Sequence, residues 1–208
     1  MQRAPAIFIA DALALDFLNS VATPIDVPVD WLDDGEGLLA WLQQAQLVSV
    51  EVLAHMRSRS PPSELNKVAA QARDLREWFR GFVDKHRGRS LTADDHKKLE
   101  PLNRLLERDE SFSQIVPAVR NEERNAFAMR VSRRWRSPET LLIPIAETLG
   151  RFVCSEDFTD IKACEGPVCT LLFADHTRGR ARRWCSMAIC GNRAKQAAHR
   201  HRLKASRE

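Results

Sequence analysis

Cys164-Glu165-Gly166-Pro167-Val168-Cys169 and Cys185-Ser186-Met187-Ala188-Ile189-Cys190 repeat one spacing, C-x4-C, with fifteen residues between the two copies. Each copy can close a tight turn whose two thiolates converge on one point. The fifteen-residue link is long enough for a hairpin that brings the turns together. Four thiolates in a tetrahedron are the coordination of structural zinc, and a shell filled by four protein ligands leaves no position for a catalytic water. Two disulfides or buried free thiols are the alternatives. Cys154 falls outside the repeat and reads as a buried helix thiol, while His176 could join the ligands only by breaking the pairing symmetry. No cysteine precedes Cys154, a distribution unlike that of a secreted disulfide scaffold.

Charge is distributed as unevenly as the cysteines. Residues 176–208 carry ten basic side chains: Arg178, Arg180, Arg182, Arg183, Arg193, Lys195, Arg200, Arg202, Lys204 and Arg207. Their one acid is Glu208. That end is +9, the first 175 residues are −5, and the whole chain is only +4. A basic end of this kind suits a polyanion, nucleic acid first, so all ten are candidate nucleic-acid contacts. Four thiolates around a zinc ion leave −2 on the cluster, and Arg182, Arg183 and Arg193 are near enough in sequence to offset it. Two or three of the ten charges are thereby expected to serve the metal. After Cys190, Gly191 permits a sharp exit and Asn192 is a good N-cap. Arg193 to Arg207 then has high helix propensity and would be about 22 Å long as a helix.

The chain upstream reads as helical. It has 208 residues, 44% hydrophobic and 29% charged, the composition of a soluble globular protein. No apolar run reaches membrane-spanning length, and the opening Met1-Gln2-Arg3 has no apolar signal core, so membrane and secreted proteins are excluded. A short buried helix is expected over Ala12–Ser20, with a small strand at Ile7–Ile9 before it. Asp16 and Asn19 lie three apart on that helix, where capping and turn hydrogen bonds are favoured over ligand contact. Helices follow at about Glu36–Leu47 and from a Ser63 cap to His86, the second with Leu65, Val68, Ala72, Leu75, Phe79 and Phe82 at helical spacing. Thr92-x-x-Asp95 is a capping box, and Pro101 kinks or restarts the helix that follows. Alternation across residues 112–134 predicts a β-hairpin interrupted by Pro117. Ser137-Pro138-Glu139 opens a helix running to the cysteines, with Pro144 in its first two turns. The five tryptophans read as packing residues. No phosphate loop and no Ser/His/Asp signature stand out.

Cys190-Gly191-Asn192-Arg193, with the cysteine pairs before it and Leu171-Leu172-Phe173-Ala174-Asp175 between them, resembles the CGNR zinc-finger family. Leu13-Ala14-Leu15-Asp16-Phe17-Leu18-Asn19-Ser20 is similar to the opening motif of the ABATE domain, which commonly precedes that finger. Ala174 and His176 depart from the pattern, where an aromatic and a serine are expected. The resemblance implies a bacterial, stress-responsive transcription regulator whose zinc ligands are Cys164, Cys169, Cys185 and Cys190.

These readings combine into a mainly α chain with a small β-hairpin. An ABATE-like helical domain over 1–155 serves sensing or dimerisation. A four-cysteine zinc finger with a basic helix follows over 156–208. The expected function is a cytoplasmic, non-enzymatic DNA-binding regulator holding one structural zinc. A small-molecule ligand of the N-terminal domain and a homodimer are further expected partners. An RNA-binding protein and a zinc-stabilised protein-interaction module are the alternatives.

Overall fold

The computed structural model describes residues 4–23, 28–118 and 126–205. Its scaffold is α4, Pro62–His86. Pro62 occupies the first turn, where its fixed φ is already helical and its missing N–H costs nothing. The helix therefore starts at Pro62, with Pro61 at the cap position. Ser63, expected as the cap, lies inside the first turn. One face of α4, from Leu65 to Val83, is buried along its length.

Two shorter helices pack against α4. Asp34 caps α2 (Gly35–Gln44) through the N–H of Gly37 at 2.7 Å. Gly35 is required by close approach: a Cβ there would meet the Leu65 Cβ at 2.4 Å. α1 (Leu13–Leu18) is buried almost all round and packs against both α4 and α6 (Leu142–Ser155). A 3-10 turn at Pro138–Leu141 leads into α6, so the Ser137-Pro138 start holds and Pro144 lies in the first turn. α3 (Val50–Arg59), capped by Ser49, was not foreseen. It buries only Leu53 and Met56, too few apolar positions to produce a visible period.

The capping box at Thr92 and Asp95 forms with both of its bonds, on a 3-10 segment. Its Asp95 also meets Nε2 of the fully buried His86 at 3.0 Å, tying the end of α4 to this segment. At Pro101 the chain restarts as α5 (Glu100–Leu106). Ile7–Ile9 form no strand. The N–H groups of Ile9 and Ala10 instead donate to Oδ1 of Asp16, at 2.9 and 3.0 Å, and thereby leave strand pairing.

Three two-stranded antiparallel sheets complete the described chain. β1 (Val21–Ala22) and β2 (Val29–Asp30) are held by Arg76, a buried guanidinium that grips Asp30 through two 2.8 Å bonds and reaches Ser20 at 3.0 Å. β3 (Ser111–Pro117) and β4 (Phe127–Arg133) form the expected hairpin, in which Pro117 ends β3 without interrupting it. β5 (Ile161–Ala163) and β6 (Leu172–Ala174) form the third.

β5 and β6 do not stand apart from the helices. Phe158, Ile161 and Leu171–Ala174 belong to the same hydrophobic core as Phe17, Phe79 and Phe152. Among the described residues, no helix is long and apolar enough to cross a membrane.

Candidate metal centre and basic helix

The four cysteines converge. Cys164, Cys169, Cys185 and Cys190 place their sulfur atoms within 4.8 Å of one another. Sγ of Cys185 lies 3.8 Å from that of Cys169 and 3.7 Å from that of Cys190. A zinc–thiolate tetrahedron with bonds of about 2.3 Å has edges of about 3.8 Å, so the spacing fits the ion. A disulfide would need about 2 Å, and all four thiols are unpaired. The site therefore takes one structural zinc.

Local structure explains how the x4 spacing works. In the first knuckle the chain turns at Cys169 N–H to Gly166 O, 3.0 Å, and a Cβ on Gly166 would come within 3.2 Å of the Cys190 sulfur. Sγ of Cys164 accepts the N–H groups of Gly166 and Cys185, at 3.4 and 3.3 Å, as a thiolate ligand does. The second knuckle is a π-helical turn, Met187–Gly191, whose wide loop brings Cys185 and Cys190 to one side.

The turn runs directly into α7 (Asn192–Ala205). Asn192 is therefore helical and donates to Ala188 O; it is not the expected N-cap, because the π turn already supplies the preceding carbonyls. Gly191 is not at a sharp exit either. It makes room for Met187, whose sulfur lies 2.8 Å from where a Cβ would be. The hairpin expected in the fifteen-residue link also differs: β6 of the link pairs backward with β5, so the hairpin encloses the first knuckle.

The electrostatics of the cluster suit a cation. A hydrogen bond from Cys185 lowers the Cys169 thiol to about 5, despite burial. The Cys185 thiol is pushed far up by its bond to Cys169, and burial pushes Cys190 up to about 12. Without a cation the cluster would thus release the Cys169 proton readily and hold those of Cys185 and Cys190. A zinc dication stabilises all four thiolates together.

The arginines around the cluster are bound into the fold. Arg182 donates to the backbone carbonyls of Trp184 and Cys185, pairs with Asp11, and lies 4.3 Å above the Phe173 ring. Arg183 pairs with Glu165 at 2.5 Å and covers the Trp184 ring. Arg180, in a left-handed turn at φ +46°, pairs with Asp160 and donates to Asp175 O. Arg178 and Lys195 are exposed, and Arg193 is half-buried. Arg200, Arg202 and Lys204 lie on the α7 backbone, and Arg207 falls outside the described residues.

Two groups organise the finger from positions the ligand pattern does not reveal. Asp175 is fully buried and takes Lys162 Nζ at 2.6 Å, Thr177 Oγ1 at 2.5 Å and the N–H of Arg182 at 2.9 Å. Burial opposes its ionisation, but these donors outweigh that and hold the carboxyl below its ordinary range. Asn19 bridges 153 residues. Its Nδ2 donates to Leu172 O at 2.8 Å, and its Oδ1 accepts Leu172 N–H at 2.9 Å, as a neighbouring strand would. A further backbone bond, Ala174 N–H to Ala10 O at 2.9 Å, joins the same segments.

Cys154, expected buried, is exposed near the end of α6 and outside the cluster. His176 bonds Glu156 at 2.7 Å.

Residues 11–156 match the model of the ABATE family, described as "Putative stress-induced transcription regulator", and residues 161–203 match the CGNR zinc finger. No curated protein matches the chain. The opening helix with Asp16 and Asn19, the core it shares with β6 and the four-thiolate centre all fall within those matches, and the chain belongs to the ABATE family with a C-terminal CGNR zinc finger.

Proposed function

We propose that the protein is a cytoplasmic, non-enzymatic transcription regulator that binds DNA through its zinc-anchored basic helix. In this reading residues 156–208 bind DNA and residues 1–155 sense an effector or dimerise. One observation carries it: the second cysteine knuckle continues without a break into α7, so the metal fixes the direction in which Lys195 and the basic positions after it leave the fold. Zinc is then a mechanical anchor. The ion holds two turns of the chain together, and α7 supplies the cations that meet phosphates.

Arg180, Arg182 and Arg183 have internal partners, so the phosphate contacts are assigned first to Arg178, Lys195, Arg200, Arg202, Lys204 and Arg207. If about five of these meet phosphates, log K against log[salt] has a slope of roughly −4.5. Fluorescence anisotropy of the zinc-loaded protein with a labelled duplex, titrated across salt, measures it. A flat dependence, or tighter binding of single-stranded RNA, overturns the reading. The Trp184 ring is half-buried with Arg183 over it, which leaves less of it for stacking on bases and favours duplex DNA over RNA.

An effector site is supported by an apolar cleft of about 370 Å³ between α5 and α6, floored by Leu102, Leu106 and Val153 beside Gly150. Its volume is in the range of small-ligand sites.

A further inference from the structure

The longer hairpin carries its apolar side chains on the face turned away from the molecule. β3 and β4 pair in strict register, so Pro117 stands opposite Phe127, Ile115 opposite Met129, and Ser113 opposite Val131. Strand alternation puts these six on one face and Phe112, Gln114, Val116, Ala128, Arg130 and Ser132 on the other. On the second face Phe112, Val116, Ala128 and Ser132 are half-buried, while Gln114 and Arg130 are exposed. The first is open, with Ile115 72%, Phe127 67%, Met129 75% and Val131 74% exposed. No charged residue interrupts it from Phe127 to Val131. Arg133, at its base, is turned to Asp109 and Glu147. Polar groups gather beyond the base, where Arg136 pairs with Glu110 at 2.7 Å.

A two-stranded sheet is marginal in water unless one face is covered, and contiguous exposed apolar patches on soluble proteins mark contact sites. We propose that a second copy of this chain covers this face, the two hairpins packing face to face across a twofold axis. The chemistry selects the partner. An uncharged apolar face offers nothing to a phosphate backbone or an acidic peptide, whereas a twofold contact requires only a patch complementary to itself. The area approaches what is needed: the four large side chains expose about 450 Å² per copy, hence about 900 Å² in a dimer, and the exposed Ser113 and Pro117 on the same face extend it towards the 1,200 Å² or so of a specific interface. Apolar centre and polar margin follow the usual order of such contacts. The inference rests on the hairpin alone and does not depend on DNA binding. A twofold dimer would present two copies of α7.

The test is the mass of the full-length, zinc-loaded protein by sedimentation velocity from 1 to 100 μM, in reducing buffer so that Cys154 forms no cross-link. A dimer is expected. Met129→Lys and Ile115→Lys should each raise its dissociation constant at least 100-fold, leaving circular dichroism and zinc content unchanged. Met129→Ser, which adds no charge, should weaken it less. A wild-type monomer at 100 μM overturns the proposal, and so does a dimer that survives both lysine variants.

Discussion

The two larger hairpins invert expectation. β5–β6 has three residues per strand, with Ile161 and all of β6 buried, whereas β3–β4 has seven per strand and exposes Ile115, Phe127, Met129 and Val131. Strand length and alternation would favour the longer one as the sheet with a core. The difference lies in what each meets. β6 lies against α1, where Asn19 satisfies both backbone groups of Leu172 and Phe173 enters the shared core. In β3–β4 even the better-covered residues, Phe112 and Val116, are only half-buried and lie outside that core. Burial of a small sheet is decided by its neighbours, because two strands alone cannot enclose an apolar face.

The sharpest way to break this contrast is to remove the metal. Cys185→Ser should abolish zinc binding, the largest effect expected, since structural zinc contributes on the order of 10 kcal/mol to folding its own site. Hydrogen exchange should then lose protection at residues 164–170 and 183–205 but keep it at Leu172–Ala174, which the helical core holds. Loss at β6 as well would mean that zinc, not docking, buries this hairpin.

Phe173→Ala attacks the docking directly. It empties a fully buried ring site and removes the support under Arg182, so a loss of about 3–5 kcal/mol is expected in denaturant unfolding. Asn19→Ala leaves a buried N–H and a buried carbonyl of Leu172 without partners and should cost about 3 kcal/mol. Chelated and zinc-loaded protein should lose alike, because the bond lies outside the cluster.

Asp16 adds a pH dependence to the same junction. Burial, reinforced by the charge of Asp11, pushes its carboxyl from 3.8 up to about 6, against the two backbone N–H groups it accepts. A folded-state value above the unfolded one favours the protonated fold. This contribution is complete below about pH 4 and is lost as pH rises through 6, a change of about 2–3 kcal/mol. Both N–H groups reach Oδ1, so Asp16→Asn can keep them. The variant's stability relative to wild type should therefore rise between pH 4 and pH 7. A constant difference would place the titration elsewhere.

The smallest effect belongs to the open hairpin. Gln114 donates to Ser132 at 2.9 Å in the amide chemistry of Asn19, but in water. Gln114→Ala should shift stability by no more than about 0.5 kcal/mol. A larger loss would show that β3–β4 is more enclosed than its surface implies.

Much of this was legible in residues. The repeated C-x4-C named its four ligands because thiolate chemistry and chain reach depend on spacing alone. The face of α4 followed from its period, and a hairpin within residues 112–134 from alternation. Other features were not legible, for identifiable reasons. α3 buries too few residues to show a period. Asn192 has the composition of a cap, but the preceding π turn gives it a helical place. Sequence spacing sets Arg182 and Arg183 aside to offset the thiolate cluster and counts Arg180 as available, yet all three pair with carboxylates from other segments, Asp11, Glu165 and Asp160.

The sequence by itself determined the metal centre, the helical class and the basic character of the last helix, all consequences of local spacing and composition. Only the tertiary structure decided that Asn19 would act as a neighbouring strand for Leu172, which arginines would be internal, and which hairpin would stay open. Each of these depends on groups distant along the chain meeting in space, and hydrogen bonds and burial are settled by that meeting rather than by the residues that supply them.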